Sequence, residues 1–258
     1  FYGFSLLLLS ASMGAGTLAF LLYKYGKGLP DYGQLANYKP PVVTRVHSGD
    51  GRLLAEYAKE RRVFIPVSVM PKLLIKAFLS SEDKNFFEHS GIDPVSLMNA
   101  AINNLLNIYK NKRPRGASTI TQQVAKNFLL SNELSLERKI KEAILAFRIE
   151  KAFSKNRILE LYLNEIYLGM GSYGVAAAAL NYFDKSLNEL TVEEVSYLAA
   201  LPKAPNNYHP VRKKSAATAR RNWVIQKMHE NGFISKTTME LAQSIDPVSY
   251  THLRAHET

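Results

Sequence analysis

The chain has 258 residues, 47% of them hydrophobic, a formal net charge of +11 and no cysteine. That length and apolar content suffice for a buried core and exclude a disordered chain, while the lack of cysteine excludes disulfides, thiolate catalysis and Cys-ligated zinc. The positive charge favours an anionic partner, whether nucleic acid, phospholipid headgroups or a phosphorylated substrate, and does not choose among them.

Phe4 to Tyr23 ("FSLLLLSASMGAGTLAFLLY") runs twenty residues without a charge, and about twenty helical residues match the hydrocarbon thickness of a bilayer. An uncleaved transmembrane anchor over residues 1–25 is expected; a buried core helix and a signal peptide cleaved near "SAS" are the alternatives. Lys24 and Lys27 follow the segment and vote for a cytoplasmic C-terminal side, a vote that basic residues ahead of Phe1 would reverse. Residues 26–70 read as a juxtamembrane linker rich in Gly and Pro, then two β-prone runs flanking "GDG", the signature of a small β-hairpin. From Pro71 the pattern is helical to about residue 245, with apolar stripes separated by short breaks. Residues 246–258 neither continue a helix nor close a domain and read as a non-native tail.

Four helical segments carry the polar groups that could do chemistry. In "SSEDKNFFEHSGID", Leu74, Phe78 and Glu82 fall at i, i+4 and i+8, so Glu82 extends an apolar stripe to the rim of a cleft, where burial raises a carboxyl toward general acid–base use. A surface acid near a helix end is the plainer reading of Glu82 or Asp83 taken alone. In "PRGASTITQQVAKNF", Gly116 and Ser118 prepare a helix N-terminus, Ile120, Val124 and Phe128 form its apolar stripe, and Thr119, Gln122 and Lys126 project from another face. With Arg115 and Lys126 this would make a phosphate cradle, although such faces are commonly just solvated. In "SLERKIKEAILAFRIEKAF", Ile140, Ala143, Ile144 and Phe147 give one packed stripe, with Arg138, Glu142, Leu145 and Ile149 along another; an Arg–Glu pair at i, i+4 is usually a minor ion pair. Finally, "KNRILELYLNEIYLGMGSYGVAAAAL" joins an apolar helix to a Gly-rich bend and a small-residue helix, a pattern of tight packing.

Read together and in order, "EDKNFFEHSG", "GASTITQQVAKN", "RKIKE" and "ILELYLNEIYLGMGSYG" resemble the motifs of the peptidoglycan glycosyltransferases, family 51, over about Leu73 to Met228. The hairpin ahead of them is similar to the juxtamembrane part of class A penicillin-binding proteins, whose transpeptidase domain this chain does not contain: "SEDK" meets SxxK inside the first motif, and "KTT" at Lys236 lacks the glycine of KTG.

The resemblance implies a mainly α, lysozyme-like glycosyltransferase domain with a transmembrane helix and the small hairpin before it. It implies polymerisation of lipid II into a β-1,4 glycan with inversion and release of undecaprenyl pyrophosphate, at the outer (periplasmic) side of a bacterial inner membrane. Glu82 would be the general base on the acceptor's 4-hydroxyl, and Glu142 would assist the leaving group directly or through a divalent cation (Mg2+ or Mn2+), with no organic cofactor. Lys126, Arg138 and Lys141 would offset pyrophosphate charge, and Asp83, Arg115, Ser118, Thr119, Gln122 and Gln123 would complete the substrate site. Partners are lipid II, the growing glycan chain, the membrane and other cell-wall synthesis proteins, and no nucleic acid. One departure is Leu134, where many relatives carry an arginine eight residues before the second glutamate. A lytic glycan-cleaving enzyme would also set two carboxylates about a sugar cleft, and a silent scaffold would keep the fold. The anchor and the basic phosphate side oppose the first, and both glutamates oppose the second. A nucleic-acid binder would need a continuous basic stripe with interleaved aromatics, whereas these aromatics follow core periodicity.

Overall fold

The computed structural model describes residues 2–38, 44–49, 53–57, 61–109, 116–131, 133 and 135–246. It is mainly helical, as expected. A 25-residue helix, α1 (Tyr2–Gly26), leads the chain and is followed by β1 (Thr44–His47), β2 (Leu53–Tyr57) and β3 (Arg61–Arg62). The body comprises α2 (Lys72–Glu82), α3 (Pro94–Tyr109), α4 (Ile120–Leu129), α5 (Leu136–Ala152), α6 (Lys155–Glu165), β4 (Ser172–Tyr173), α7 (Val175–Phe183), α8 (Val192–Ala200), α9 (Lys214–Glu230) and α10 (Lys236–Ser244).

The two β-prone runs pair antiparallel, Thr44 opposite Tyr57 and Val46 opposite Ala55; residues 50–52 between them lie outside the described residues. β3 lies parallel to β4, Arg61 against Ser172. The segment after β3 is clipped to α6: the Asn164 side chain accepts from Ile65 N–H at 2.8 Å and donates to Ile65 C=O at 2.8 Å, and Glu160 accepts from Val67 N–H at 2.9 Å. Gly174, at φ +78°, sits where an added Cβ would meet the Asn164 carbonyl at 2.5 Å, so the bend after β4 admits only glycine.

Among the described residues, no helix is long and apolar enough to cross a membrane. The anchor expectation falls on α1, where the side chains of Leu6, Leu7, Leu8 and Leu18, with others, lie outside the described residues. The side chains of α1 that are described are turned away from the core, Phe4, Leu9, Met13 and Phe20 among them. Its C-terminal end meets α5, where Arg148 donates to the Gly26 carbonyl at 3.3 Å. The tail expected from residue 246 onward lies outside the described residues except for Asp246.

One core runs through the body, with Leu74 and Phe78 of α2, Ile120 and Val124 of α4, Leu145 and Ile149 of α5, Ile158 and Tyr162 of α6, Leu198 of α8 and Val224 of α9 almost fully buried. Of the stripe expected to pack in α5, Ile144 is buried and Phe147 is not. Phe147 is 46% exposed under the Lys151 ammonium, whereas Glu142, Leu145, Ala146 and Ile149 face inward. The inward stripe tolerates its carboxylate because two cations on the preceding turn neutralise it, as described next.

Candidate active site

The site is assembled where the first motif crosses the N-terminal end of α4. Helix α2 ends at Glu82 and Asp83 takes an extended backbone, which turns the two adjacent carboxylates in different directions. Asp83 goes inward and is buried. His89 Nε2 lies 3.0 Å from both its oxygens, and the backbone N–H of Ile120, the first residue of α4, donates to Oδ2 at 2.9 Å. Because His89 Nδ1 accepts from Gly91 N–H at 3.2 Å, the proton sits on Nε2 and points at Asp83. A carboxylate at a helix N-terminus also meets the positive end of the helix dipole. Asp83 is therefore committed to holding the turn.

Thr119 and Gln122, expected on an open substrate face, are buried and form a capping box: Gln122 N–H donates to Thr119 Oγ1 at 3.2 Å, and Thr119 N–H donates to Gln122 Oε1 at 3.0 Å. The Thr119 hydroxyl donates in turn to the Gly91 carbonyl at 2.6 Å. Gly91, at φ +97°, lies so close to α5 that a Cβ there would stand 2.8 Å from the Ala146 carbonyl. Lys155 closes the back of the turn, donating to the His89 carbonyl at 2.6 Å and to Glu150 at 2.7 Å, 4.5 Å from the Phe86 ring centre. The aromatics and histidine of the first motif thus fix a turn on three helices.

Glu82 is half-buried at the end of α2. Gln123 donates to its Oε2 at 3.0 Å. The contact at Oε1 is the Ser81 hydroxyl at 3.5 Å, and that hydroxyl has a better acceptor in the Ala199 carbonyl at 2.8 Å. One carboxylate oxygen is thereby anchored and the other keeps a lone pair for a proton. Burial raises the Glu82 pKa above its ordinary value, against Gln123, Arg220, Ser81 and Lys203, which lower it.

Across the site, Glu142 is buried on α5 with both oxygens engaged: Arg138 Nη1 holds Oε1, and Lys139 Nζ donates to Oε2 at 2.6 Å. Lys139 also donates to Ser118 Oγ at 2.7 Å, tying the α4 approach to α5. Lys126, in the last turn of α4, is within electrostatic reach of both glutamates; burial comes first among the causes that depress its pKa, joined by Arg138 and Lys139. Arg138 and Lys139 of α5, with Lys126 of α4, form a cationic side suited to a pyrophosphate.

Not every expected residue converges. Lys141 pairs at 2.6 Å with Glu137 rather than with Glu142, and it is Lys139, three residues before Glu142, that makes the contact. Arg115 and Leu134 lie outside the described residues. A divalent ion does not fit the donors present: Glu142 is a single carboxylate with both oxygens on cations, and among the described residues no group of three His, Asp or Glu side chains is placed around a common point.

Beyond Lys139, Arg220 and Lys203 were missed by the sequence reading, although both act electrostatically on Glu82. The Arg220 guanidinium lies 3.9 Å from the centre of the Trp223 ring. They arrive from α9 and from the segment after α8, and no local pattern connects them to the first motif.

The transglycosylase family profile matches residues 50–229, most of the chain. The chain belongs to the transglycosylase family. Relatives of the transglycosylase domain include penicillin-binding protein 1A of Rickettsia typhi, 53% identical over 89% of this chain and 29% of that protein. Penicillin-binding protein 1A of Escherichia coli is 44% identical over 87% of this chain and 26% of that protein. The chain thus spans less than a third of the length of the curated relatives it matches. A crystal structure of penicillin-binding protein 1A from Haemophilus influenzae aligns with a TM-score of 0.47 and 26% identity, covering 85% of this chain and 24% of that one, a likeness too loose to speak for the fold.

Proposed function

We propose that this transglycosylase domain is a peptidoglycan glycosyltransferase that joins lipid II units into a β-1,4 glycan. The observation that carries the reading is the asymmetry of Glu82, whose Oε2 is held by Gln123 while Oε1 has only the Ser81 hydroxyl at 3.5 Å, with the Lys126 cation within electrostatic reach. The acceptor's 4-hydroxyl oxygen attacks the donor anomeric carbon as its proton passes to Glu82 Oε1. The bond from that carbon to the pyrophosphate oxygen breaks on the opposite face, which inverts the configuration. Negative charge grows on the departing pyrophosphate, where Arg138, Lys139 and Lys126 are already in place. Preorganised donors of this kind contribute about 10²–10³-fold in rate each. Glu142 acts through the two cations it holds, fixing them so that they need no rearrangement during reaction.

The substrate's lipid calls for a membrane surface. Helix α3 supports one, since Val95, Met98, Ile102 and Leu105 recur at i, i+3, i+7 and i+10 and all are exposed, as are Leu97 and Phe87. A patch of this kind marks a lipid or protein contact. In this reading α1 is the single-pass anchor, its uncharged run of twenty residues in the bilayer, and the catalytic body sits on the outer side of the inner membrane of a bacterium, with α3 dipped into the leaflet that presents lipid II.

Product analysis tests the proposal. Detergent-solubilised protein given labelled lipid II is expected to form polymer that lysozyme digests, with release of undecaprenyl pyrophosphate. Solubilisation of preformed glycan with no use of lipid II would make it a lytic enzyme instead.

A further inference from the structure

Lys24 and Lys27 stand exposed at the end of α1, and the reaction described above uses neither. Following an anchor, they favour a cytoplasmic side for the rest of the chain, whereas the proposed function needs the body on the outer side. The negative end of the α1 dipole attracts cations, but the fold brings further ones from a distant helix. Helix α1 packs on α5, where Arg148, 122 residues beyond Gly26, donates to the Gly26 carbonyl at 3.3 Å. Lys151 follows Arg148 by three positions, is exposed, and so lies beside it on the helix surface.

Among the described residues, no carboxylate pairs with Lys24, Lys27, Arg148 or Lys151. The acids of these segments are engaged elsewhere: Glu137, within electrostatic reach of Lys24, by Lys141 at 2.6 Å, Glu150 by Lys155 at 2.7 Å, and Asp31 by the Gly33 N–H at 2.8 Å. Each lysine lies over an aromatic ring. Lys24 is 5.2 Å from the Tyr25 centre, Lys27 4.0 Å from that of Tyr23, and Lys151 4.5 Å from that of Phe147. Tyr23 and Phe147 are themselves exposed. Amphipathic rings and long cationic side chains of this kind suit the headgroup level of a bilayer. Like charges gathered on one surface repel, and an anion from outside the chain relieves that repulsion.

We propose that the junction of α1 and α5 binds the headgroup phosphates of anionic phospholipids, with Lys24, Lys27, Arg148 and Lys151 as its cations. The inference rests on the reading of α1 as the membrane anchor. Lys24 and Lys27 then belong to the leaflet beside the body rather than to a cytoplasmic flank. Helix α5 also carries Glu142 with Arg138 and Lys139, so the headgroup contact sets the height of the cationic side above the leaflet that presents lipid II.

The test is the lipid selectivity of the whole protein in vesicles, read by EPR as the motionally restricted share of spin-labelled phosphatidylglycerol against spin-labelled phosphatidylcholine. It needs no turnover, and so stands even if the protein does not polymerise lipid II. Wild type is expected to favour phosphatidylglycerol by roughly fivefold at low salt, with the preference shrinking as salt rises. The triple variant Lys24→Gln, Lys27→Gln, Lys151→Gln brings the ratio close to parity; Arg148 is kept because it holds α1. Lys214→Gln with Lys227→Gln and Lys236→Gln removes the same charge from α9 and α10 and leaves the preference in place. Equal loss in both triple variants would reduce the effect to net charge and overturn the proposal, as would restricted lipid without anionic preference in wild type. Absence of any restricted lipid would overturn the anchor reading along with it. The competing anion is the pyrophosphate of lipid II. In phosphatidylcholine vesicles the KM for lipid II is expected to be the same in wild type and the α1–α5 variant; a raised KM with the phosphatidylglycerol preference intact would assign the patch to the substrate instead.

Discussion

Glu82 illustrates how a base is made from an ordinary carboxyl by what is withheld from it. Burial raises its pKa more than Gln123, Arg220, Ser81 and Lys203 lower it, so the folded state binds this proton more tightly than the unfolded chain does. Between the unfolded value and the raised folded one, the folded protein carries more protons, and stability falls as pH rises through that window. The penalty is fully present above the folded value and absent below the unfolded one. Glu82→Gln is therefore expected to raise Tm at pH 7.5, by about 2–4 °C if the relief is about 1 kcal/mol, with the gain disappearing in acid; calorimetry at two pH values checks it. On the opposite wall Lys139 and Lys141 of α5 separate by geometry. Lys139→Ala removes a direct contact to Glu142 and should lower kcat by about 10²-fold, while Lys141→Ala, which loses a pair to an exposed Glu137, should stay within about threefold. Steady-state kinetics on lipid II distinguish them.

At the scale of elements, the first and second motifs form one joint. The start of α4 is fixed by its own capping box, by Asp83 on the Ile120 N–H and by the Thr119 hydroxyl on the Gly91 carbonyl. Gln123, which orients Glu82, sits in the first turn of that helix, so a change at the cap reaches the base through one turn of backbone. Thr119→Ala is expected to destabilise by about 1–2 kcal/mol and to lower kcat, with Thr119→Ser recovering most of both; denaturant unfolding and turnover measured on the same samples would show whether the two move together. Gly91→Ala is more severe, because the new Cβ meets the backbone of α5 at 2.8 Å with φ at +97°, and soluble expression should collapse.

For the whole molecule, exposed apolar surface is concentrated on α3 and α1, and the cationic side lies on α4 and α5. If α3 seats the body on the bilayer, Met98→Glu with Ile102→Glu should slow turnover of lipid II in vesicles by tenfold or more while sparing turnover in detergent. What could be read from the chain divides along the same scales. Helix α2 from Pro71 and α5 from Ser135 follow from local periodicity and caps, and both are present. Local spacing also separates Lys139 from Lys141, since a residue three before Glu142 shares its face and a neighbour does not. Thr119 and Gln122 looked like an open polar face because a capping box and a solvated stripe use the same residue types. Arg220 and Lys203 act electrostatically on Glu82 from segments distant in sequence, which no local pattern encodes.

The claim that Glu82 is the base of a polymerising cleft is tested most directly by incorporation of labelled lipid II, comparing wild type with Glu82→Gln under one set of conditions and with Tm confirming that both are folded. Polymer from wild type and none from the variant, at equal or higher Tm, is the predicted result. Polymer formation by a folded Glu82→Gln protein at the wild-type rate would contradict it.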